Sequence, residues 1–262
     1  MTSMPHTTLH QISKEASTIL VVAHPDDEIL WFSSILTKID AIIICFGNQK
    51  NDPGMSARRL AAISQIPLPN VIYLHLTEAG QPKEIDWNNS TQKNLLFHNQ
   101  ETKTQFLLND KTLLDQLSPL LNKATNIYTH NPWGEYGHHE HIQVHAAIKK
   151  LQRDFHYTIH FDNYVSARTR QLASMIGKKQ EFDTCYNLKT NRPLYKTISA
   201  IYKRNQVWTW YQEYVLPLHD TYFSINEAKN RYTTMQKQKL KMICVKSDCL
   251  KQFLLLRRHI VI

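Results

Sequence analysis

Thr18-Ile19-Leu20-Val21-Val22-Ala23-His24-Pro25-Asp26-Asp27-Glu28 begins as an apolar run and ends in an imidazole, a proline and three carboxylates. A strand buried on both faces reads as such an unbroken apolar run. Sites of α/β proteins are built at the carboxyl ends of strands. Four polar groups gathered at one such end are costly to bury unless they are paired or bind something. A metal site with its own base is the chemistry that uses them.

Outward from this stretch, the first half of the chain alternates apolar runs with amphipathic stretches, the pattern of βα units around a parallel sheet. Strands are expected at Thr18 to Ala23, Ala41 to Phe46, Asn70 to Leu76, Asn126 to Thr129 and Tyr157 to Phe161. Helices are expected at Asp27 to Ile39, Ser56 to Gln65, Lys111 to Lys123 and Glu140 to Asp154. These crossovers imply an α/β, doubly wound and mostly parallel sheet flanked by helices, with ligands at its carboxyl edge. Between Thr77 and Asp110 the chain turns polar and aperiodic, with Trp87 and Phe97 as isolated apolar residues and Asn88 to Gln92 near its centre. So long a connection after a strand that ends at the site reads as a lid.

Past Tyr164 the alternation fades into helix-like segments around Pro193 to Arg204 and Asn226 to Lys241, separated by Trp208-Thr209-Trp210-Tyr211. The expected organisation is a core over residues 1–165 and a helical C-terminal extension over residues 166–262, packed on the same domain. The aromatic stretch has two readings, a face for stacking sugars or packing of the tail on the core. The general use of aromatic rings as core area favours packing.

The 262 residues are 42% hydrophobic, enough for one large globular domain, and carry a net charge of +9. That charge suits an anionic or lipid-linked substrate or a peripheral membrane contact through Lys237 to Lys241. Nucleic acid is not expected, because no zinc finger, RNA-recognition signature or basic zipper is present. Cys45, Cys185, Cys244 and Cys249 show no C-x-x-C spacing and read as reduced, structural thiols. No apolar stretch reaches the roughly 20 residues that span a bilayer. Met1 to Ala16 lacks the apolar core of a signal peptide, so a cytoplasmic location is expected.

The second cluster is His130-Asn131-Pro132-Trp133-Gly134-Glu135-Tyr136-Gly137-His138-His139-Glu140-His141, which follows the short strand expected at Asn126 to Thr129. Two strand-end clusters can converge on one ion. Catalytic zinc takes three protein ligands from imidazole nitrogen and carboxylate oxygen and keeps one position open. His24 and Asp27 are three residues apart and can aim the same way, whereas Asp26 between them points differently and suits a general base beside metal-bound water. His138 and His141 repeat the three-residue spacing on one helix face. One completes the ligand set and the other assists the oxyanion or the leaving amine; spacing leaves the choice open. His139 faces elsewhere, and His145 lies a turn deeper as a core residue or one supporting a ligand.

At these residues the chain resembles the PIG-L/LmbE family of zinc-dependent de-N-acetylases. The matched pieces are Ala23 to Glu28 and the run from His130 through Gly134-Glu135-Tyr136-Gly137-His138 to His141 and His145. The resemblance covers residues 17–165 and, more loosely, Lys196 to Gln206. It implies a Rossmann-like fold, zinc or another divalent cation held by His24, Asp27 and His141, and Asp26 as base. It further implies His138 as the residue assisting the tetrahedral intermediate and Tyr136 as the one polarising the substrate carbonyl. The implied activity is hydrolysis of an N-acetyl group from an amino sugar or glycoconjugate.

Two positions depart from the family. Gly137-His138-His139-Glu140-His141 stands where members usually read Gly-His-Pro-Asp-His, a change outside the ligands. Ser56-Ala57-Arg58-Arg59-Leu60 has serine where members carry a substrate-contacting arginine. These departures support a second expectation, a catalytically inactive metal-containing protein that binds sugars or regulates.

Overall fold

The computed structural model describes residues 16–80, 84–85, 95–96, 99–179 and 182–226. β1 (Thr18–Val22) lies inside a seven-stranded sheet, third from one edge. On one side it pairs in parallel with β2 (Ala41–Asn48), which pairs with β3 (Val71–Thr77). On the other it pairs in parallel with β6 (Asn126–Thr129), followed by β7 (Thr158–Asp162). A small hairpin, β4 (Glu84–Ile85) with β5 (Leu95–Leu96), stands apart from this sheet. The chain therefore reverses its direction of winding between β1 and β6, and the carboxyl ends of those two strands flank the resulting crevice.

The apolar run of β1 is continuous because both faces are covered. Ile19 and Val21 join one buried cluster with Leu113, Leu117, Val144 and Ile148. Leu20 and Val22 join the opposite one with Ile29, Phe32, Ala62 and Ile198. These clusters are completed by α1 (Asp27–Trp31), α2 (Pro53–Ile63), α3 (Gln100–Leu121), α4 (His139–Phe155), α5 (Arg170–Lys179) and α6 (Arg192–Arg204).

Several elements differ from expectation. The helix expected over Asp27 to Ile39 closes at Phe32, and turns carry the chain onward. The Asp220 carboxylate accepts the Ser34 N–H at 2.9 Å and the Ser33 hydroxyl at 3.2 Å, a long-range partner that replaces the next helical turn. Conversely, α3 starts at Gln100 rather than Lys111. Its buried stripe is Phe106, Asn109, Leu113, Leu117 and Leu121, and polar Asn109 breaks the apolar period because its amide donates to the Thr77 carbonyl.

The segment expected to be helix-like after Tyr164 also supplies two strands. β9 (His219–Ile225) pairs antiparallel with β7, and β8 (Thr184–Lys189) pairs antiparallel with β9 at the sheet edge. The centre of the expected lid, the tail helix at Asn226 to Lys241 beyond its first residue, Cys244, Cys249 and residues 1–15 lie outside the described residues. Among the described residues, no helix is long and apolar enough to cross a membrane.

Candidate metal centre

His24 follows β1, and the chain turns at once into α1. Asp26 makes this turn with φ 93°, a left-handed conformation uncommon for a residue with a Cβ. Such strain persists where surrounding contacts impose it. The turn returns the Asp27 carboxylate to His24, whose backbone N–H donates to Oδ2 at 2.8 Å. The Trp31 indole N–H donates to the other oxygen of Asp27, Oδ1, at 3.3 Å.

The second cluster descends from β6 through an equally tight loop. Gly134 has φ 67°, and a Cβ there would lie 2.6 Å from the His138 carbonyl, so glycine is required for the chain to fold back on itself. His138 then forms the N-cap of α4, which places His141 in the first turn.

The two clusters meet in a triangle. His24 Nδ1 and His141 Nε2 are 3.3 Å apart, His24 Nδ1 and Asp27 Oδ2 3.4 Å, and His141 Nε2 and Asp27 Oδ2 3.3 Å. A tetrahedral ion with bonds of about 2.0–2.1 Å spaces its donors about 3.3–3.4 Å apart. Three buried donors with that spacing, two imidazole and one carboxylate, fit a divalent cation such as zinc.

Carboxylates behind the imidazoles select their tautomers. His24 Nε2–H donates to Glu140 Oε2 at 2.7 Å, so in the neutral ring it is Nδ1 that carries the lone pair facing the triangle. Glu140 is itself held by the Ala79 N–H at 2.8 Å. His141 Nδ1–H donates to Glu135 Oε2 at 2.5 Å, which leaves Nε2 facing the triangle. Carboxylate partners of this kind orient metal-binding imidazoles and raise their basicity. Burial alone would lower the His24 imidazole, but the Asp27 and Glu140 carboxylates outweigh it and raise its pKa to about 10. The site draws positive charge.

Other imidazoles have different work. His130 can also be grouped with Asp27 and His141 as a possible ligand set, but its Nε2 accepts the Ala23 N–H at 2.8 Å and its Nδ1 donates to Glu135. Its lone pair is thus used to tie β6 to the end of β1. His145 donates to the His130 carbonyl at 2.7 Å, a supporting place rather than one among the donors. His139 stacks on His138 and lies against Phe106.

His138 has its ring 4.7 Å from that of His24 and 4.6 Å from that of His141. Burial, with the adjacent His141 and His24 imidazoles, holds it well below the usual histidine range, so it is neutral. Tyr136 lies 5.6 Å from His141 and 5.8 Å from His138, ring to ring. Burial and the Asp27 and Asp26 charges push its hydroxyl well above the usual value, so it stays protonated. Asp26 is buried and accepts both the N–H and the hydroxyl of Thr209 on Oδ2. Burial and the adjacent Asp27 carry its pKa to about 7 against the pull of those bonds.

No protein-family model matches the chain, and no curated protein does. Among solved structures it superposes on a deacetylase-bog complex from the teicoplanin biosynthesis pathway, with a TM-score of 0.52 at 9% identity over 81% of this chain and 100% of that one. The zinc-inhibited form of teicoplanin deacetylase Orf2 gives the same values. A deacetylase-teicoplanin complex gives 0.50 at 10% identity over 80% and 99%. The chain has the fold of these deacetylases.

Residues outside the expected set complete the centre. Glu135, Glu140 and His130 lie within the quoted histidine-rich run, where their acidic and imidazole groups were visible without a role. Trp31 and Thr209 carried no such signal. At the position of the family arginine, the Ser56 hydroxyl accepts the Gln49 N–H, while buried Arg59 is ion-paired with Glu78.

Proposed function

We propose that this chain is a metal-dependent N-deacetylase of the PIG-L/LmbE type, hydrolysing the acetamido group of an amino sugar or glycoconjugate. The observation that carries the reading is the triangle of His24, Asp27 and His141 with an unliganded carboxylate, Asp26, next in sequence to one of its corners. The shared fold of the teicoplanin deacetylases supports it.

His24, Asp27 and His141 hold the cation, zinc in the first instance, whose contribution when bound is to acidify water and polarise the amide carbonyl. Asp26, fixed through Oδ2, takes the proton of the attacking water on Oδ1. As water oxygen bonds to the carbonyl carbon, negative charge gathers on the carbonyl oxygen. The protonated Tyr136 hydroxyl and the neutral His138 ring are the donors that meet it. The C–N bond then breaks as nitrogen takes up the proton that Asp26 received from water, and acetate and a free amine leave.

The test pairs metal analysis with mass spectrometry of N-acetylated sugars incubated with zinc-loaded protein. Exchange of an acetyl group for hydrogen, together with release of acetate, is expected. Asp26→Asn is expected to abolish turnover while metal stays bound. Turnover retained by that variant removes Asp26 as base.

A further inference from the structure

We infer that Trp210 is the platform on which the pyranose ring of the substrate stacks, holding its acetamido group at the His24–Asp27–His141 triangle. The inference rests on the N-deacetylase reading and adds to it the part of the substrate that the metal centre does not touch.

The indole reaches the centre by two routes. Its ring lies 5.1 Å from Tyr136, which in turn lies 5.6 Å from His141. It also lies 5.3 Å from Trp31, whose N–H holds Asp27. The preceding residue, Thr209, holds Asp26. Trp210 therefore stands one side chain from two triangle corners and one residue from the anchor of the base.

Trp208 shows what a purely structural tryptophan looks like in the same segment. It is 9% exposed, its N–H donates to the Tyr211 carbonyl, and the Lys203 ammonium sits over its ring at 5.2 Å. Trp210 is more exposed, and its indole N–H has no partner among the described residues. A buried donor without an acceptor costs stability that is recovered when an acceptor arrives. Next to it Tyr211 is 43% exposed, extending the aromatic surface outward. Flat rings bearing negative faces attract the C–H face of a pyranose.

The test compares zinc-loaded full-length wild type with Trp210→Ala, Trp210→Leu and Trp210→Phe on two substrates, N-acetyl-D-glucosamine and the ringless N-acetylethanolamine. Loss of the platform should raise KM for the sugar about tenfold with kcat nearly unchanged, and phenylalanine should recover most of it. The ringless substrate should be indifferent to all three changes. Equal losses on both substrates, or an unchanged sugar KM, overturn the platform; Trp210→Leu carries the test if the alanine variant does not fold.

A binding readout needs no turnover. N-acetyl-D-glucosamine should quench the tryptophan fluorescence of Asp26→Asn protein and lose that effect when Trp210→Leu is added. Trp210-dependent quenching together with no acetate release by zinc-loaded wild type sinks the deacetylase reading and keeps the platform. Acetate release without such quenching does the reverse.

Discussion

Thr209 grips Asp26 twice, its backbone N–H at 2.9 Å and its hydroxyl at 2.8 Å from the same carboxylate oxygen, across 183 residues of sequence. The base of the proposed reaction is thus aimed by a segment that follows α6 and precedes β9, in the part of the chain expected to be a mere extension. Thr209→Val keeps the backbone bond and removes the other. A hydrogen bond to a charged group is worth about 1.5–3 kcal/mol, so kcat should fall about tenfold or more. KM and zinc content should stay constant, and Thr209→Ser should restore kcat. A fall in zinc content that matches the fall in rate would show Thr209 to be acting on the fold instead.

Glu135 and Glu140 predict a different split. Each accepts a hydrogen bond from the far side of an imidazole in the triangle. Glutamine in either place removes the charge and offers an amide N–H in the wrong direction. Metal affinity should weaken about 10- to 100-fold for Glu135→Gln and for Glu140→Gln. Competition with a chelator measures this directly, and wild-type affinity in both variants would dismiss the carboxylates as orienting groups.

These partners also show how far the chain could be read before its structure. The convergence of His24, Asp27 and His141 was legible because ligand chemistry restricts residue type and local turns restrict spacing: His24 and Asp27 share one turn, and His141 opens a helix. The central strands were legible because β1 and β2 are buried on both faces and spell it out in Ile, Leu and Val. β8 was not, since as an edge strand its side chains are exposed or only partly buried. Thr209 was not either, because a threonine bears no mark of the aspartate it will meet when the distance is set by packing of α6 and β9. Glu140 was read as lying outside the ligands and so without a role; its place behind His24 depends on how α4 docks beside Ala79.

Gly134 makes the loop between β6 and α4 possible, and a substitution there tests how tightly that loop governs the centre. With φ 67° and the His138 carbonyl 2.6 Å from any added Cβ, alanine brings both left-handed strain and a backbone clash. The strain alone costs about 1–2 kcal/mol. Gly134→Ala should lower the thermal midpoint of unfolding and weaken zinc binding together, since the displaced backbone belongs to the residue three before His141. Unchanged metal affinity in a destabilised variant would separate the loop from the centre.

Acid stability can be predicted from a histidine outside the His24–Asp27–His141 triangle. His160 on β7 donates from Nε2 to Asn126 and accepts the Tyr186 hydroxyl on Nδ1, and its ring stacks 4.6 Å from Tyr128. Both nitrogens are satisfied only when the ring is neutral, and burial lowers its pKa to about 4. The unfolded chain, with a value near 6.5, therefore binds the proton first. Stability from His160 is complete above about pH 6.5 and is lost as pH falls from there to about 4, by at most about 3 kcal/mol. Urea unfolding across that window should show the loss, shared with buried His139 and His145, whose values are also lowered to about 4. His160→Gln should be less stable at neutral pH yet fall more gently with acid. A slope identical to wild type would mean that Tyr186 and Asn126 tolerate the protonated ring.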